Sequence, residues 1–361
     1  MQSARPRIAV LYGGVSNEHE ISCLSARNVI PAIDTNQFDV IQVGITKDGA
    51  WFLQDNIESG ISKEKLPQVL PVGLPVSLSL NRNVRGLIAL DNTSDTFAVD
   101  VVFPILHGRY GEDGTIQGAL EFADIACVGA GSLASALAMD KSQFKSVMKA
   151  HDIPVIQSVS ISRFEWMTSQ SRCLQLIEKL HFPLFVKPAR AGSSLGVSKV
   201  SIRESLVIAI DSAFEVDDIV LVEESVVNPR EIECGVLVQN GVARASLPSE
   251  IKVKAGFDFY SYEAKYVDDS TELIVPANLT SDTQQEIQEL AVKVFKAIGA
   301  EGYARVDFLL SDTGSIFVNE LNTIPGFTNI SMFPRMFVAS GLSYEELVNL
   351  LIQDALQRHG K

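Results

Sequence analysis

The segment 305–331 constrains the fold of this chain more than any other. Two apolar runs rich in strand-forming residues flank a polar, glycine-containing turn at 311–314, a pattern that predicts a β-hairpin. Asp307 lies on the first run, and Glu320 and Asn322 lie at the end of the second. Pairing of the runs would assemble a set of oxygen ligands suited to Mg²⁺ and its phosphate partners. On this pattern alone, exposed acids on a surface hairpin are the better explanation, because acidic residues are common there.

The turn after this hairpin contains Pro325 and Gly326. Glycine has no side chain, so the Gly326 N–H can approach a reacting carbonyl closely. An ordinary Pro-Gly turn is the competing explanation.

Composition is that of an ordinary globular protein of 361 residues, long enough for two or three domains, with 46% apolar and 20% charged residues. The net charge of −14 argues against a nucleic-acid-binding protein, which usually presents a basic face. We find neither an apolar signal segment nor an apolar run near the ~18 residues of a membrane span, so we expect a cytoplasmic location away from the membrane. Widely spaced cysteines without a C-x-x-C pair favour reduced thiols: Cys23, Cys127, Cys173 and Cys234.

The beginning of the chain predicts an α/β fold. An apolar run at 7–12 ends at a Gly-Gly pair, a helical pattern follows it, and a further apolar run occupies 40–45. Glu18 and the glycine-rich loop at 107–114 follow the ends of predicted strands, where ligands bind in open α/β sheets. A helix cap and a tight turn are the competing explanations. Residues 54–97 are less regular, and we interpret them as an insertion without an assigned function.

Two small-residue segments are candidates for a nucleotide site. The first, 129–134, matches the dinucleotide fingerprint G-x-G-x-x-A, but the preceding apolar run is short and Asp152 precedes a strand instead of ending one. We therefore interpret it as an interdomain turn and not as the site of an NAD-dependent dehydrogenase. The second, 189–197, follows a strand ending at Lys187 and is suited to wrap phosphates with backbone N–H groups. A flexible hairpin loop explains it equally well, and no P-loop sequence occurs in the chain.

The remaining patterns indicate strands, helices and one long loop. An apolar run at 219–226 contains two adjacent acids, and a hairpin with an Asn240-Gly241 turn follows it. Residues 254–270 are aromatic and charged without periodicity, so we interpret them as a functional loop that acts as a lid. Helical patterns occupy 135–150, 164–181, 280–299 and 343–358.

Taken together, these motifs resemble the D-alanine–D-alanine ligases of the ATP-grasp superfamily. The matches follow the family's order and span nearly the whole chain, and six weak motifs in order are together very specific. They lie at 13–22, 107–114, 139–141, 187–194, 262–266 and 319–328.

The resemblance implies an α/β, ATP-grasp fold with an N-terminal Rossmann-like open domain. We expect the N-terminal domain at 1–134 to hold the first D-alanine, and the two ATP-grasp subdomains to span 135–226 and 227–361, the latter with the lid loop 254–270. The implied reaction forms D-alanyl-D-alanine for peptidoglycan synthesis, in which ATP phosphorylates one D-alanine and the amine of a second attacks the acyl phosphate. The implied cofactors are ATP and two Mg²⁺ or Mn²⁺ ions, and a cytoplasmic homodimer is expected.

Residue roles are also implied by the resemblance. Phosphates would be bound by Lys141, Lys187, Ser193, Ser194 and Lys265. Adenosine would be held by Glu223, Glu224, Val226 and Glu231. The metal ligands would be Asp307, Glu320 and Asn322. Substrates and the reacting groups would be contacted by Glu18, His107, Ser193, Tyr266, Arg305, Gly326 and Ser331.

Two alternatives remain open beside this function. One is a ligase of the same fold that makes D-alanyl–D-lactate or D-alanyl–D-serine. Ester-forming relatives, however, lack the tyrosine found here at position 266. A non-catalytic ATP-binding protein is the other, and four intact residues speak against it: Arg305, Asp307, Glu320 and Asn322.

Overall fold

The computed structural model describes residues 5–192, 195–253 and 271–360, and within them the strands form three β-sheets. The sequence predictions for Ser193, Ser194, Lys265 and Tyr266, and for the lid at 254–270, lie outside the described residues. The first sheet and its helices comprise β1 (Arg7–Gly13), α1 (His19–Ala32), β2 (Asp39–Ile45), β3 (Trp51–Gln54), α2 (Ile57–Gly60), β4 (Leu74–Leu78), β5 (Gly86–Ala89), β6 (Thr96–Ala98), β7 (Val101–Ile105), α3 (Thr115–Ala123) and β8 (Ala126–Cys127).

The first sheet has the strand order β6-β5-β4-β3-β2-β1-β7-β8. Strands β1, β2, β7 and β8 are parallel, and β1 is buried along nearly its whole length, as its continuous apolar sequence requires. Strands β3 to β6 pair antiparallel. The segment 54–97 is therefore not merely an irregular insertion, because β4 to β6 extend the sheet. Strands this short carry too little periodicity to be recognised in the sequence.

The second sheet has the order β11-β10-β12-β9, and all its pairings are antiparallel. The prediction of one helix over 135–150 is wrong, because two helices meet at Asp140. Its carboxylate accepts hydrogen bonds from the N–H groups of Ser142 (3.0 Å) and Gln143 (3.1 Å) and so begins the second helix. The elements are α4 (Ser132–Met139), α5 (Lys141–Ala150), β9 (Ser158–Ser162), α6 (Arg163–Ile177), β10 (Leu184–Pro188), β11 (Ser198–Val200), a 3₁₀ turn (Arg203–Ser205), α7 (Leu206–Phe214) and β12 (Ile219–Glu224).

The third sheet contains both hairpins that the sequence predicts. Its strands follow the order β16-β15-β13-β17-β18, and β14 pairs with β13 through the Asn240-Gly241 turn. The elements are β13 (Arg230–Gln239), β14 (Val242–Ala245), β15 (Ser249–Val253), β16 (Thr271–Ile274), α8 (Ser281–Ala297), β17 (Tyr303–Leu310), β18 (Ile316–Asn322), α9 (Met332–Ala339) and α10 (Tyr344–Arg358).

An aromatic core connects the first and third sheets below the loop that follows β18. Phe327 is fully buried, and its ring packs edge-to-face on Phe103 of β7 and on Tyr303 of β17, with centroid distances of 6.0 Å and 5.5 Å. This packing fixes the position of Gly326, the preceding residue, relative to both sheets.

The cysteines are free thiols, as their spacing in the sequence indicates. Cys23, Cys173 and Cys234 are buried free thiols, and Cys127 is a half-buried one. Among the helices of the described ranges, none is both long and apolar enough to cross a bilayer.

Candidate active site

A cleft of about 1620 Å³ opens where the three sheets approach one another. Every described residue to which the family resemblance gives a role lines it. These residues are Glu18, His107, Lys141, Lys187, Glu223, Glu224, Val226, Glu231, Arg305, Asp307, Glu320, Asn322, Gly326 and Ser331.

The hairpin formed by β17 and β18 brings its three oxygen-bearing side chains together. Strands β17 and β18 pair Asp307 with Glu320, and a bulge interrupts the register directly after Asp307. Asn322 donates a hydrogen bond from Nδ2 to Asp307 Oδ2 at 2.9 Å. Two carboxylates on directly opposed positions repel each other, so this arrangement requires compensating cations.

Arg305 and Lys141 supply that compensation. Arg305 donates to both oxygens of Asp307, at 2.6 Å and 2.7 Å, and its Nε lies 3.3 Å from Glu233 Oε1. Lys141 Nζ lies 3.5 Å from Glu320 Oε2. Burial opposes the Arg305 charge, but Asp307, Glu233 and Glu320 outweigh burial and raise the arginine pKa well above its ordinary value. We call Lys141, Glu233, Arg305, Asp307 and Glu320 together the hairpin cluster.

Two carboxylates of the hairpin cluster, together with the neighbouring Asn322, form a donor set that fits Mg²⁺ or Mn²⁺. Asp307, Glu320 and Asn322 present hard oxygen atoms, and Mg²⁺ usually takes one or two carboxylates together with water and phosphate oxygens. In the described parts of the chain, no group of three His, Cys, Asp or Glu side chains converges as a ready metal site. A metal here would therefore complete its coordination with substrate and water oxygens.

Gly326 and Ser331 lie against each other at one end of the cleft. A Cβ added to Gly326 would lie 2.9 Å from Ser331 Oγ. The same hydroxyl oxygen accepts a hydrogen bond from the Thr328 N–H at 3.0 Å and lies 2.7 Å from Thr328 Oγ1. The hydroxyl is therefore held in place before any substrate arrives.

His107 connects the first sheet to this loop. Its Nδ1–H donates to the Ile324 carbonyl at 2.9 Å, and its Nε2 lies 3.0 Å from Ser25 Oγ. Burial alone would lower the pKa of His107, but the Glu112 and Glu18 carboxylates outweigh burial and raise it. With both ring nitrogens occupied, His107 can position the loop around Gly326 from within the cleft wall.

Glu18 lies between two glycine-containing loops. An added Cβ would lie 2.8 Å from Glu18 Oε2 at Gly108 and 3.8 Å from it at Gly192. Gly108 also has a φ of +74°, so a side chain there would be strained as well as crowded. The carboxylate therefore lies beside both Gly108 and Gly192.

The part of the cleft to which the resemblance assigns the nucleotide is organised around Glu223. Its carboxylate pairs with Lys145 Nζ at 2.9 Å through one oxygen and with Lys187 through the other. Burial would raise the pKa of Glu223, but Lys187 and Lys145 outweigh burial and lower it to about 2. We call Lys145, Lys187 and Glu223 the lysine–glutamate triad. Both carboxylate oxygens are engaged by the lysines, so this side chain serves more than the adenosine contact that the resemblance implies.

Strand β12 leads out of this triad toward β13. The N–H groups of Glu224 and Ser225 donate to the carbonyls of Gln157 (3.0 Å) and Pro183 (2.9 Å). Glu224 Oε1 also accepts a hydrogen bond from the His181 N–H at 2.9 Å. Adenine recognition at this strand end would accordingly rest on backbone carbonyls and on Val226.

Several residues in or behind the cleft wall were not predicted from the sequence. Lys145 follows Lys141 by one helical turn, and Phe185 precedes Lys187 by two strand positions, so helical and strand periodicity were available as signals. Phe185 lies opposite Glu223 in the sheet and offers a ring surface beside the triad. Glu112 lies within the 107–114 motif but received no role from it, and no sequence signal marks Lys65 and Leu66, which also line the cleft.

The discounted dinucleotide fingerprint stays unsupported. Glu121 of α3 accepts hydrogen bonds at 2.8 Å from both the N–H and the hydroxyl of Ser132, the first residue of α4. A protein carboxylate therefore takes the helix start that a pyrophosphate would need.

Comparison with known proteins gives one consistent family. The family model described as D-ala D-ala ligase N-terminus matches residues 7–130, and the one described as D-ala D-ala ligase C-terminus matches residues 147–353. The D-alanine–D-alanine ligase of Paenarthrobacter aurescens (strain TC1) is 45% identical over 365 residues, covering 99% of this chain and 96% of the relative. That of Mycolicibacterium smegmatis is also 45% identical, with 98% of this chain and 96% of the relative covered.

Solved structures agree with these relatives. The VanG D-Ala:D-Ser ligase from Enterococcus faecalis superposes with a TM-score of 0.86 at 38% identity, covering 98% of this chain and all of that one (100%). The D-alanine–D-alanine ligase from Coxiella burnetii gives a TM-score of 0.82 at 33% identity, covering 98% of this chain and 95% of that one. The predicted fold class is thereby confirmed, and the chain belongs to the D-alanine–D-alanine ligase family of ATP-grasp enzymes.

Proposed function

We propose that this protein joins two D-alanine molecules into D-alanyl-D-alanine for peptidoglycan precursor synthesis, through an acyl-phosphate intermediate. It is an ATP-dependent ligase. The observation that carries the proposal is the common cleft, which every described residue assigned to nucleotide, metal or substrate lines. A non-catalytic ATP-binding protein would have no need for Gly326 and Ser331 in that cleft.

The first step transfers the terminal phosphoryl group of ATP to the carboxylate of one D-alanine and releases ADP. Glu18 would bind the ammonium of this substrate, which holds its carboxylate toward the phosphates. Lys141 and Lys187 would neutralise phosphate charge, which is the main requirement of phosphoryl transfer. Bound Mg²⁺ or Mn²⁺ at Asp307, Glu320 and Asn322 would neutralise developing charge on the phosphate oxygens.

In the second step, the neutral amine of another D-alanine attacks the acyl carbonyl. The attack forms the C–N bond and an oxyanion, which the Arg305 guanidinium and the Gly326 N–H would stabilise. Collapse of that tetrahedral species breaks the acyl C–O bond and expels inorganic phosphate, and the attacking nitrogen releases its extra proton to the departing phosphate or to solvent. Ser331 would bind the carboxylate of the second substrate, since its hydroxyl lies beside Gly326.

A D-alanine–D-serine ligase is the second candidate function, because the structural relative with a TM-score of 0.86 is the VanG D-Ala:D-Ser ligase. Both amino acids present an attacking amine, so the two functions share all of the chemistry above. Ester formation with D-lactate needs a base for a hydroxyl nucleophile, and we expect Tyr266 to disfavour it.

One product assay separates these functions. Purified protein, ATP and Mg²⁺ are incubated with D-alanine alone and with equal D-alanine plus D-serine, D-lactate or L-alanine, and products are identified by mass. We expect D-alanyl-D-alanine to dominate every mixture. Dominant D-alanyl-D-serine would favour the second candidate, and ATP consumption without any dipeptide would refute the proposal. Tyr266→Phe should lower dipeptide yield, because the hydroxyl that positions the amine is lost.

We also propose that the protein is cytoplasmic, since peptidoglycan precursors are assembled where ATP is available. We further propose that it is a homodimer, because the family resemblance implies two subunits. Light scattering of the purified protein should give twice the 39.3 kDa mass of one chain. A monomer mass at assay concentration would contradict the dimer without affecting the proposed reaction.

A further inference from the structure

Lys145 is a buried lysine that neither the sequence motifs nor the proposed mechanism uses. It lies on α5 one turn after Lys141, and only 2% of its surface is exposed. Its ammonium lies 2.9 Å from one oxygen of Glu223, while Lys187 pairs with the other oxygen. The triad thus combines two ammonium groups with one carboxylate and carries one positive charge in excess.

The position of that excess charge is informative. Lys187 and Glu223 line the cleft, whereas Lys145 is buried on α5 outside the cleft lining. Lys145 therefore acts on a cleft ligand only through Glu223. Because this carboxylate divides its two oxygens between two cations, Lys187 is incompletely neutralised and keeps its attraction for an anion. Charge interactions of this kind are stronger at buried sites than in water.

We propose that Lys145 is a positioning residue for the nucleotide phosphates. By holding one oxygen of Glu223, it prevents full neutralisation of Lys187 and gives this end of the cleft its net positive charge. The inference rests on the ATP-dependent function proposed above and deepens its nucleotide site. It also explains why a lysine, whose burial is costly, occupies the interior of α5 where an apolar residue would pack at least as well.

A purely structural Lys145 would predict something different. Replacing a lysine that only supports α5 and β12 would disturb the whole nucleotide end and weaken adenine and phosphate binding alike. The proposed role affects the phosphates alone, so the ratio of the dissociation constants for adenosine and ATP is the quantity that separates the two.

The test measures ATP and adenosine binding by titration calorimetry in metal-free buffer, which leaves metal binding at the hairpin cluster out of the measurement. The variants are Lys145→Met, the double variant Lys145→Met/Glu223→Gln, and Lys149→Met as the matched control. Lys149 is an exposed lysine one turn further along α5, so its replacement removes the same charge from the same helix.

For Lys145→Met, we expect the Kd for ATP to rise at least about tenfold while that for adenosine changes less than about twofold, as for loss of one buried charge contact. Lys149→Met should change neither. The double variant leaves Lys187 without a neutralising carboxylate. The ratio of its Kd for adenosine to its Kd for ATP should therefore return to within about threefold of the wild-type ratio.

Unchanged ATP binding in Lys145→Met, or an equal loss for ATP and adenosine, would overturn the inference. If Lys145→Met does not fold, the double variant decides, since a ratio far below that of wild type would also overturn it. Wild-type protein that binds no ATP would instead refute the proposed function.

Discussion

The hairpin cluster and the lysine–glutamate triad are both built from cationic side chains and carboxylates but carry opposite net charge. The hairpin cluster sets two cations, Lys141 and Arg305, against three carboxylates, Glu233, Asp307 and Glu320. The triad sets two ammonium groups against the single carboxylate of Glu223. Both line or adjoin one cleft, and helix α5 contributes a lysine to each.

This difference in net charge indicates which charged ligand each cluster can bind. A set with excess negative charge attracts a divalent cation, whereas one with excess positive charge attracts phosphate directly. A nucleotide bound with its metal satisfies both at once, because the phosphates would lie between the two clusters. The opposite signs are therefore consistent with one metal–nucleotide ligand in a shared cleft.

The strongest test of this comparison removes a charge from the hairpin cluster. Glu320→Gln keeps the shape of the side chain but cancels the negative excess, so metal binding should weaken. We expect turnover to fall at least about a hundredfold, as when a preorganised electrostatic contribution is lost. Phosphate release with D-alanine measures turnover, and Mn²⁺ binding followed by electron paramagnetic resonance measures the metal directly.

Asp312→Asn is the matched control for this variant, since it removes one acid from the exposed turn of the same hairpin. It should leave turnover and Mn²⁺ binding near wild type. Near-normal activity of Glu320→Gln at limiting Mg²⁺ would contradict the metal assignment.

A second test asks whether shape beside the hairpin cluster matters as much as charge. Gly326→Ala places a methyl group 2.9 Å from Ser331 Oγ, and Thr328 prevents that hydroxyl from moving freely. We expect kcat/KM for the second D-alanine to fall about tenfold, since small displacements of a positioning group are costly, while the KM for ATP stays unchanged.

Gly118→Ala serves as the control for Gly326→Ala, because the nearest atom to its added Cβ lies 3.9 Å away. An equal effect of both variants on D-alanine kinetics would show that the loop around Gly326 has no special geometric role.

The smallest expected effect concerns the stability of the triad. Glu223 has a pKa lowered from 4.5 to about 2, so its stabilising contribution is fully present above pH 4.5 and is lost as the pH falls toward 2. Glu223→Gln should therefore lower the melting temperature by ~3–6 °C at neutral pH, since Lys145 can lose its proton and limit the cost. The difference from wild type should shrink between pH 4.5 and pH 3.

Melting curves at several pH values measure this dependence, and Glu215→Gln, at an exposed position of the same region, is the control. A difference that stays constant across the acidic range would mean that Glu223 is not ionised in the native protein.

The sequence by itself determined the parts of this protein that depend on short-range patterns. The apolar runs around Ser311–Gly314 predict the hairpin and bring Asp307 and Glu320 into one neighbourhood, whereas their direct pairing depends on the bulge after Asp307. The glycine, lysine and acid motifs identify the family because each motif is local and their order is read directly along the chain. The sequence pattern did not reveal the helix boundary at Asp140. The side chain of Asp140 caps a new helix within one continuous apolar pattern and so divides it into two helices.

Only the tertiary structure decided how distant residues use those motifs. In the sequence Glu223 is an acid at a strand end, and it becomes the centre of two ion pairs only because the fold brings Lys145 of α5 and Lys187 of β10 beside it. His107 reads as a loop histidine, yet its ring joins Ile324, which is 217 residues away. Burial and charge pairing arise from which faces meet, and periodicity along one segment carries no record of the segment packed against it.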